Sequence, residues 1–131
     1  MGISPTIMAG NIIGIVAQRL VRRLCPACKR SYTPTGVEAK LIAGAEKLFE
    51  SEGCVDCDYQ GFSGRFAVME VLRFDADVDQ LMGVSNAVSE IGELLKNRGH
   101  RTLYDEALRR IAVGDTSFAE ASRVIDFTLK V

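Results

Sequence analysis

The 131 residues, 47% of them hydrophobic and 25% charged, exclude a disordered tail and predict a folded chain with one ordinary core or two small ones. A net charge of −1 and a pI near 5.8 exclude a global attraction to nucleic acid or to anionic lipid. The apolar run Ile12 to Val16 contains Gly14 and is far shorter than the roughly 20 residues of a bilayer span, so we expect no transmembrane helix.

The first predicted elements are a short helix and a strand. Ser4 followed by Pro5 is typical of a helix start, and this helix is expected to end near Ile12. Further along, β-branched residues in imperfect alternation predict a strand from Ile15 to Arg22. This strand leads directly to Cys25, so the first pair of cysteines should lie at its end.

The next predicted element is an amphipathic helix that begins at Gly36 and ends near Glu52 and Gly53. Its apolar face is expected to be formed, at helical spacing, by Val37, Leu41, Ala45 and Leu48. The second pair of cysteines follows this helix at once, so both pairs are predicted to lie immediately after a regular element.

The clearest strand in the sequence runs from Arg65 to Phe74, after a turn predicted over Gly61 to Gly64. We expect it to pair with the first strand, which would make the cysteine-bearing segment an insertion between two neighbouring strands. Glu70 lies in the apolar part of this strand. It is predicted either to form a cross-strand ion pair with Arg19 or to face the solvent.

Everything after Asp75 has helical periodicity. The apolar positions of the four predicted helices are Val78 to Met82, then Val88, Ile91, Leu94 and Leu95, then Leu103, Ala107 and Ile111, then Phe118, Ala121, Val124 and Ile125. Gly99 and Gly114 are expected to end the middle two helices, and Ser117 with Glu120 has the pattern of a capping box. The C-terminal third is therefore predicted to be a small helical bundle.

The sequence contains two CxxC pairs separated by 25 residues, formed by Cys25, Cys28, Cys54 and Cys57. One turn from each pair can bring two sulfurs to a single ion, so this spacing favours a structural Zn²⁺ site with a closed tetrahedral shell. A disulfide between residues three apart would constrain little of the unfolded chain. Because no signal peptide is recognisable, we expect reduced thiols, with free structural thiols or a redox CxxC as alternatives.

A local basic cluster accompanies the first cysteine pair and consists of Arg19, Arg22, Arg23, Lys29 and Arg30. It is interpreted as a solvated strand edge, a patch for phosphates or a subunit interface. A free-standing zinc ribbon that binds nucleic acid through this cluster is the alternative function, although interleaved aromatic residues are absent.

The motifs GxxxxGK[ST], GxSxG, HExxH and GxGxxG are all absent, so we expect no catalytic residues in this chain. A thiol oxidoreductase would need its CxxC in a βαβ setting, which the pattern lacks. His100, in a Gly-His-Arg turn, is expected to be a solvated loop residue. Helix-start positions, where a negative charge suits the helix dipole, are predicted for Asp75, Asp77, Asp79, Asp105 and Glu106.

Four segments stand out in one order and spacing: AQRLVRRLCPAC, GCVDC, GFSGRFAVMEVL and RTLYDEALRRIAVGDTS. Together they resemble the C-terminal region of the GspE/PilB-type traffic ATPases, which are the hexameric, cytoplasmic ATPases of type II secretion and type IV pilus assembly. The resemblance extends from about Gly2 to Val124. Retraction-type relatives lack the cysteine insertion, so its presence resembles the assembly and secretion branch.

The resemblance implies an α/β (α+β) fold in four segments. Residues 1–24 would be the end of a RecA-like ATPase core, and 25–60 a tetracysteine zinc module inserted between two neighbouring strands. Residues 61–74 would be the returning strand of the core, and 75–131 a small helical C-terminal subdomain. The four cysteines match the metal ligands of the family one by one. The family's phosphate-binding loop, acidic boxes and histidine box are not in this sequence, so ATP and Mg²⁺ are expected only in a full-length parent.

The function implied by the resemblance is mechanical. The chain would be a zinc-binding fragment that transmits motion in the parent ATPase without hydrolysing ATP by itself. The implied partners are the other subunits of a homo-hexamer and an inner-membrane platform or cytoplasmic assembly proteins, with no nucleic acid. The implied location is the cytoplasm, peripheral to the inner membrane. A contact of Arg19, Arg22 and Arg23 with a neighbouring subunit's nucleotide is left open beside a solvated or interfacial role.

Overall fold

The computed structural model describes residue 7 and residues 10–82 and 87–127. The chain divides into two compact units. The first unit contains Met1–Ala17 and Glu70–Thr102, and the second contains Gln18–Met69 and Leu103–Val131. No helix within the described ranges is long and apolar enough to cross a membrane.

The predicted N-terminal helix falls largely on residues that the structure does not describe, and its start at Ser4 and Pro5 lies outside the described residues. The described end of this segment differs from the prediction. Gly10 and Asn11 form a turn, and Gly10 has a φ of 75°, which a right-handed helix cannot contain. The helix therefore does not continue to Ile12.

Two long strands pair in a two-stranded sheet, β1 (Gly14–Leu24) and β4 (Phe62–Arg73). Beyond the end of β1, the Cys25 amide donates a 3.0 Å hydrogen bond to the carbonyl of Gly61, the residue before β4. This pairing confirms the two predicted strands and their partnership. It also brings together the two ends of the segment that carries the cysteines.

The turn predicted over Gly61 to Gly64 is wrong beyond its first residue, because β4 already begins at Phe62. The Phe62 ring lies under the Arg22 guanidinium, with 4.0 Å between the guanidinium carbon and the ring centroid. This cross-strand contact favours an extended backbone. Gly64 continues the strand with a φ of 78°, a conformation that glycine adopts without steric cost.

The segment between the long strands contains a second, smaller sheet. Its elements are β2 (Arg30–Tyr32), helix α1 (Gly36–Leu41), β3 (Leu48–Glu50) and a single 3₁₀ turn at Val55–Cys57. β2 and β3 are antiparallel, with Arg30 opposite Glu50 and Tyr32 opposite Leu48. The small sheet lies between the two cysteine pairs in sequence and connects them.

The long helix predicted from Gly36 to Gly53 is wrong beyond Leu41. The backbone leaves the helix at Ile42, and Gly44 has a φ of 87°, which interrupts the right-handed path. Leu48 then enters β3 and has no exposed surface. The apolar residues do have helical spacing. However, strand pairing with β2 buries Leu48, and this pairing determines the structure of the segment after Leu41.

Within the described residues, four helices follow β4, as predicted: α2 (Ala76–Leu81), α3 (Ala87–Asn97), α4 (Leu103–Ala112) and α5 (Phe118–Ala121). Gly99 and Gly114, with φ values of 66° and 73°, follow α3 and α4 and confirm the predicted ends. The last helix is shorter than predicted, since Val124 and Ile125 lie beyond it. α2 and α3 belong to the first unit, and α4 and α5 belong to the second.

Only half of the predicted capping box is formed at α5. The Ser117 hydroxyl oxygen accepts a 3.1 Å hydrogen bond from the Glu120 amide, as a helix cap does. The Glu120 carboxylate accepts instead from the backbone amide and the guanidinium of Arg22. The Glu120 carboxylate therefore joins α5 to β1, whereas the capping pattern predicts that it bonds within its own helix.

The core of the second unit is built by the two sheets and the last two helices together. Its fully buried apolar side chains, at most 1% exposed, are Val21, Leu48, Val68, Ala107, Ile111 and Ala121. These residues come from β1, β3, β4, α4 and α5. The small sheet that connects the cysteine pairs thus shares one core with α4 and α5.

A four-cysteine cluster as candidate metal centre

Each pair of cysteines lies in a tight turn. Cys25 follows the last residue of β1, and its carbonyl accepts a 3.0 Å hydrogen bond from the Lys29 amide, so Cys28 turns back toward Cys25. Cys54 precedes the 3₁₀ turn, and its carbonyl accepts from the amides of Cys57 at 3.2 Å and Tyr59 at 2.8 Å. Both turns place the two sulfurs of a CxxC pair on one side of the backbone.

The structure brings the four predicted cysteines together: their sulfur atoms all lie within 4.8 Å of one another. The separations are 3.9 Å from Cys25 to Cys54, 3.8 Å from Cys28 to Cys57 and 3.8 Å from Cys54 to Cys57. Four sulfurs about 2.3 Å from a central Zn²⁺ in tetrahedral geometry would be about 3.8 Å apart. All four thiols are free, and these distances exceed the roughly 2.05 Å of a disulfide. The cluster can therefore hold a metal ion.

Three backbone amides donate to the sulfur atoms. Gly53 donates to Cys28 Sγ at 3.3 Å, Cys54 donates to Cys57 Sγ at 3.3 Å, and Gly61 donates to Cys57 Sγ at 3.2 Å. An N–H group that points at sulfur stabilises the negatively charged thiolate more than the neutral thiol. The backbone of the second turn is therefore arranged for anionic sulfur.

The local environment separates the cysteine pKa values. Burial opposes ionisation of Cys57, but hydrogen bonds from the amides of Cys54 and Gly61 and from the Cys28 and Cys54 side chains together lower its pKa to about 7. Burial raises the pKa of Cys28 to about 12, despite the opposing hydrogen bond from Gly53, and it also raises the pKa of Cys54. Cation binding displaces thiol protons, so a metal ion would overcome the cost of ionising the buried sulfurs.

Gly53 and Gly61 have two roles at this centre that the sequence analysis missed. Both have left-handed backbones, with φ values of 115° and 76°. A Cβ atom on Gly53 would lie 2.7 Å from the Tyr59 carbonyl oxygen, and one on Gly61 would lie 2.6 Å from Ser51 Cβ. Each glycine thus permits close backbone approach and donates its amide to a sulfur. The available signal was a glycine directly before Cys54 and another four residues after Cys57.

The basic cluster is engaged within the second unit. Arg22 lies 2.5 Å from the Glu120 carboxylate, whose side chain is 6% exposed, and Arg23 lies 3.7 Å from Asp115. Lys29 and Arg30 also have partners, namely the Gly114 carbonyl at 2.9 Å and the Glu50 carboxylate at 2.7 Å. The exposed Arg19 donates to the carbonyl of Gln18. The other four cations of the cluster therefore have partners within the fold.

The first unit contains a His–Glu pair that the sequence analysis did not predict. His100 Nε2 lies 3.0 Å from Glu70 Oε1, and the His100 side chain is only 15% exposed. Glu70 therefore pairs with a histidine and not with Arg19, and the expectation that His100 is solvated is wrong.

The helix-start prediction for Asp75 is confirmed, because its carboxylate accepts from the Val78 amide at 3.2 Å. That hydrogen bond lowers the pKa of Asp75.

Comparison with known proteins shows similarity to proteins of secretion and pilus-assembly systems. The family model described as "Type II/IV secretion system protein" matches residues 1–123. The chain is 33% identical over 132 residues to "Type II secretion system ATPase E" of Vibrio cholerae, covering 95% of this chain and 25% of that protein. It is 32% identical over 127 residues to "Type IV pilus assembly ATPase PilB" of Thermus thermophilus, covering 92% and 14%. The chain thus spans a quarter or less of the length of these relatives.

Proposed function

Because the chain belongs to the type II/IV secretion system protein family, we propose that it is the zinc-bearing part of an ATPase that powers type II protein secretion or type IV pilus assembly. The observation that carries the proposal is the four-cysteine cluster, whose sulfur atoms all lie within 4.8 Å of one another, in a chain that matches the family over 123 of its 131 residues. The relatives bear the names of both machines. The proposal therefore covers secretion and pilus assembly alike.

In this proposal Cys25, Cys28, Cys54 and Cys57 hold one Zn²⁺ in a purely structural role. Four thiolates fill the tetrahedral shell of zinc and leave no position for water or substrate. Bound zinc supplies folding free energy to a segment that is too short to build a sufficient core by itself. The amides of Gly53 and Gly61 donate to the sulfurs of Cys28 and Cys57 and orient them.

We assign no ATP hydrolysis to this chain by itself. A phosphate cradle needs a glycine-rich loop whose amides converge on the anion, followed by a lysine and a hydroxyl for Mg²⁺. The sequence contains no such motif. In the proposal, ATP and Mg²⁺ are bound by other parts of a longer ATPase, for which residues 1–24 and 61–74 supply the end of a RecA-like core. Residues 25–60 then form the zinc module, and residues 75–131 form the helical part, whose helices are divided between the two compact units.

The proposed mechanism is the transmission of motion within a cytoplasmic homo-hexamer. ATP turnover in the core would move the subunits, and the zinc module and helices would pass this movement to an inner-membrane platform or to assembly proteins. Sharing of one core by β3, α4 and α5 supports this role, because a close-packed interior transmits displacement instead of absorbing it. We propose no nucleic-acid partner, because the chain has a net charge of −1 and four of the five clustered cations have partners within the second unit.

A chimera tests the proposal. The matching segment of the Vibrio cholerae ATPase or the Thermus thermophilus PilB is replaced by this chain, and secretion or pilus assembly is measured in a strain that lacks the native ATPase. We expect activity in at least one chimera, loss of that activity with Cys54→Ser, and retention with the half-exposed control Glu50→Gln. A Cys54→Ser chimera that works as well as its parent would contradict the role given to the cysteines.

A further inference from the structure

The first cysteine pair is anchored at both of its flanks to one turn of the chain. Leu24, directly before Cys25, donates its amide to the Asp115 carbonyl at 2.9 Å. Lys29, directly after Cys28, donates its Nζ to the Gly114 carbonyl at 2.9 Å. The two acceptors are adjacent residues of the turn between α4 and α5, so residues 24–29 are held at both ends by neighbouring carbonyls.

Close packing fixes this turn against the small sheet. Lys29 Nζ lies 4.7 Å from the centroid of the Phe49 ring, in a cation–π arrangement that also orients it toward Gly114. Gly114 has a φ of 73°, and a Cβ atom there would lie 2.5 Å from Phe49 Cδ2 and 3.1 Å from Lys29 Nζ. No side chain therefore fits at position 114 unless Lys29 or Phe49 moves.

A further hydrogen bond joins the same turn to β1. The Thr116 hydroxyl donates to the Arg22 carbonyl at 2.9 Å, and Thr116 has no exposed surface. The turn thus bonds β1 on one side of the first cysteine pair and Lys29 on the other. In contrast, the second cysteine pair is oriented by amides of its own loop, those of Cys54 and Gly61, which both donate to Cys57 Sγ.

We propose that residues 114–116 are a positioning element of the metal centre, through which metal binding and the packing of α4 and α5 stabilise each other. This inference rests on the proposed metal site. The turn holds the first cysteine pair in the conformation that presents both sulfurs, and a bound ion holds the same conformation from the other side. Linkage requires the effect to be reciprocal. Ordering of the turn raises the affinity for metal by the same factor by which bound metal raises the equilibrium constant for ordering of the turn.

The coupling gives the metal centre a mechanical role beyond local rigidity. α4 and α5 carry the buried residues Ala107, Ile111 and Ala121 of the shared core. A displacement of these helices reaches the first cysteine pair through two carbonyl groups, without passing through the remainder of the small sheet. The metal centre and the last two helices therefore move as one body.

Two glycine variants form a matched test. Gly114→Ala introduces a Cβ into the contact with Phe49 and Lys29, whereas Gly44→Ala introduces one at a φ of 87° where no atom lies within 4 Å. Both variants place an alanine in a left-handed backbone and bear a similar conformational cost, but only Gly114→Ala disturbs the turn between α4 and α5. Zinc affinity is measured by competition with a chromophoric chelator, and amide exchange of residues 103–121 is followed with and without zinc. A third variant, Lys29→Met, keeps the aliphatic stem and removes the hydrogen bond to Gly114.

We expect zinc affinity to fall about tenfold or more in Gly114→Ala and several-fold in Lys29→Met, and to stay within about twofold of the parent in Gly44→Ala. Zinc should slow amide exchange in α4 and α5 of the parent and much less in Gly114→Ala. If Gly114→Ala does not fold, Lys29→Met decides. Equal zinc affinity of the parent, Lys29→Met and any folded Gly114→Ala would overturn the inference while leaving the metal site intact. A parent chain that binds no zinc would instead overturn the proposed function.

Discussion

Replacement of Glu120 by glutamine removes one charge from the link between β1 and α5 and keeps the shape of the side chain. Glu120 Oε1 accepts from the Arg22 amide at 3.2 Å, and Oε2 accepts from the Arg22 guanidinium at 2.5 Å and from Arg123 at 3.1 Å. Glutamine can still accept the amide hydrogen bond. It loses the charge of the carboxylate and places an NH₂ group against a cation.

The magnitude follows from the burial of the two partners. A hydrogen bond to a charged group contributes about 1.5–3 kcal/mol when the site is dry. Glu120 is 6% exposed, but Arg22 is 39% exposed, so solvent reduces the gain. We expect Glu120→Gln to lower the free energy of unfolding of the second unit by about 1.5–2 kcal/mol. The control Glu50→Gln breaks the Arg30 pair, whose side chains are 64% and 43% exposed, and should cost less than about 0.5 kcal/mol.

Urea unfolding monitored by tyrosine fluorescence measures this difference, because all three tyrosines, Tyr32, Tyr59 and Tyr104, belong to the second unit.

The pH dependence of the free energy of unfolding gives a second test, because the direction of the change is fixed by the pKa of Glu120. The hydrogen bond from Arg22 lowers the pKa of Glu120, so its contribution is complete above the unfolded value of about 4.3 and is lost as the pH falls through the folded value. The parent and Glu120→Gln should therefore differ most above about pH 4.5 and converge in acid. Equal stabilities at pH 7, or a gap unchanged down to pH 3, would refute this reasoning.

Three further perturbations have defined outcomes. Leu48→Ala, in the core of the second unit, should cost about 3 kcal/mol in urea unfolding, whereas the exposed control Val55→Ala should stay within about 0.5 kcal/mol; similar costs would mean that β3 is not packed as described. Gly61→Ala should lower both stability and metal content, measured by unfolding and elemental analysis, because its Cβ would collide with Ser51; a fully metal-loaded variant of unchanged stability would contradict this. Removal of metal with a chelator should accelerate amide exchange in α4 and leave α3 of the first unit unchanged, and acceleration confined to α3 would contradict the placement of the centre in the second unit.

The sequence was sufficient wherever local periodicity and final structure agree. β1 and β4 have the β-branched composition of strands, and α3 and α4 have helical spacing followed by glycine at a left-handed position. The proximity of the four sulfurs also followed from spacing, since two CxxC turns at the ends of paired strands have little freedom to separate. These features depend on contacts that are near in sequence or imposed by one strand pair.

The failures concern interactions over long sequence distances. β3 was mistaken for helix because Leu48, seven residues after Leu41, continues the helical spacing, and only the long-range pairing with β2 makes this segment a strand. The partner of Glu120 is Arg22, 98 residues away, which a local capping pattern cannot indicate. The contact of Lys29 with the Gly114 carbonyl spans 85 residues for the same reason. Such pairs depend on how α4 and α5 pack against the small sheet.

The central claim is that Cys25, Cys28, Cys54 and Cys57 together hold one structural metal ion. Elemental analysis of the purified chain, combined with counting of reactive thiols before and after addition of a chelator, tests it most directly. We predict about one zinc per chain, thiols protected in the native protein, and four thiols released together with the metal. A folded, metal-free chain whose four thiols react freely in the native state would contradict the account.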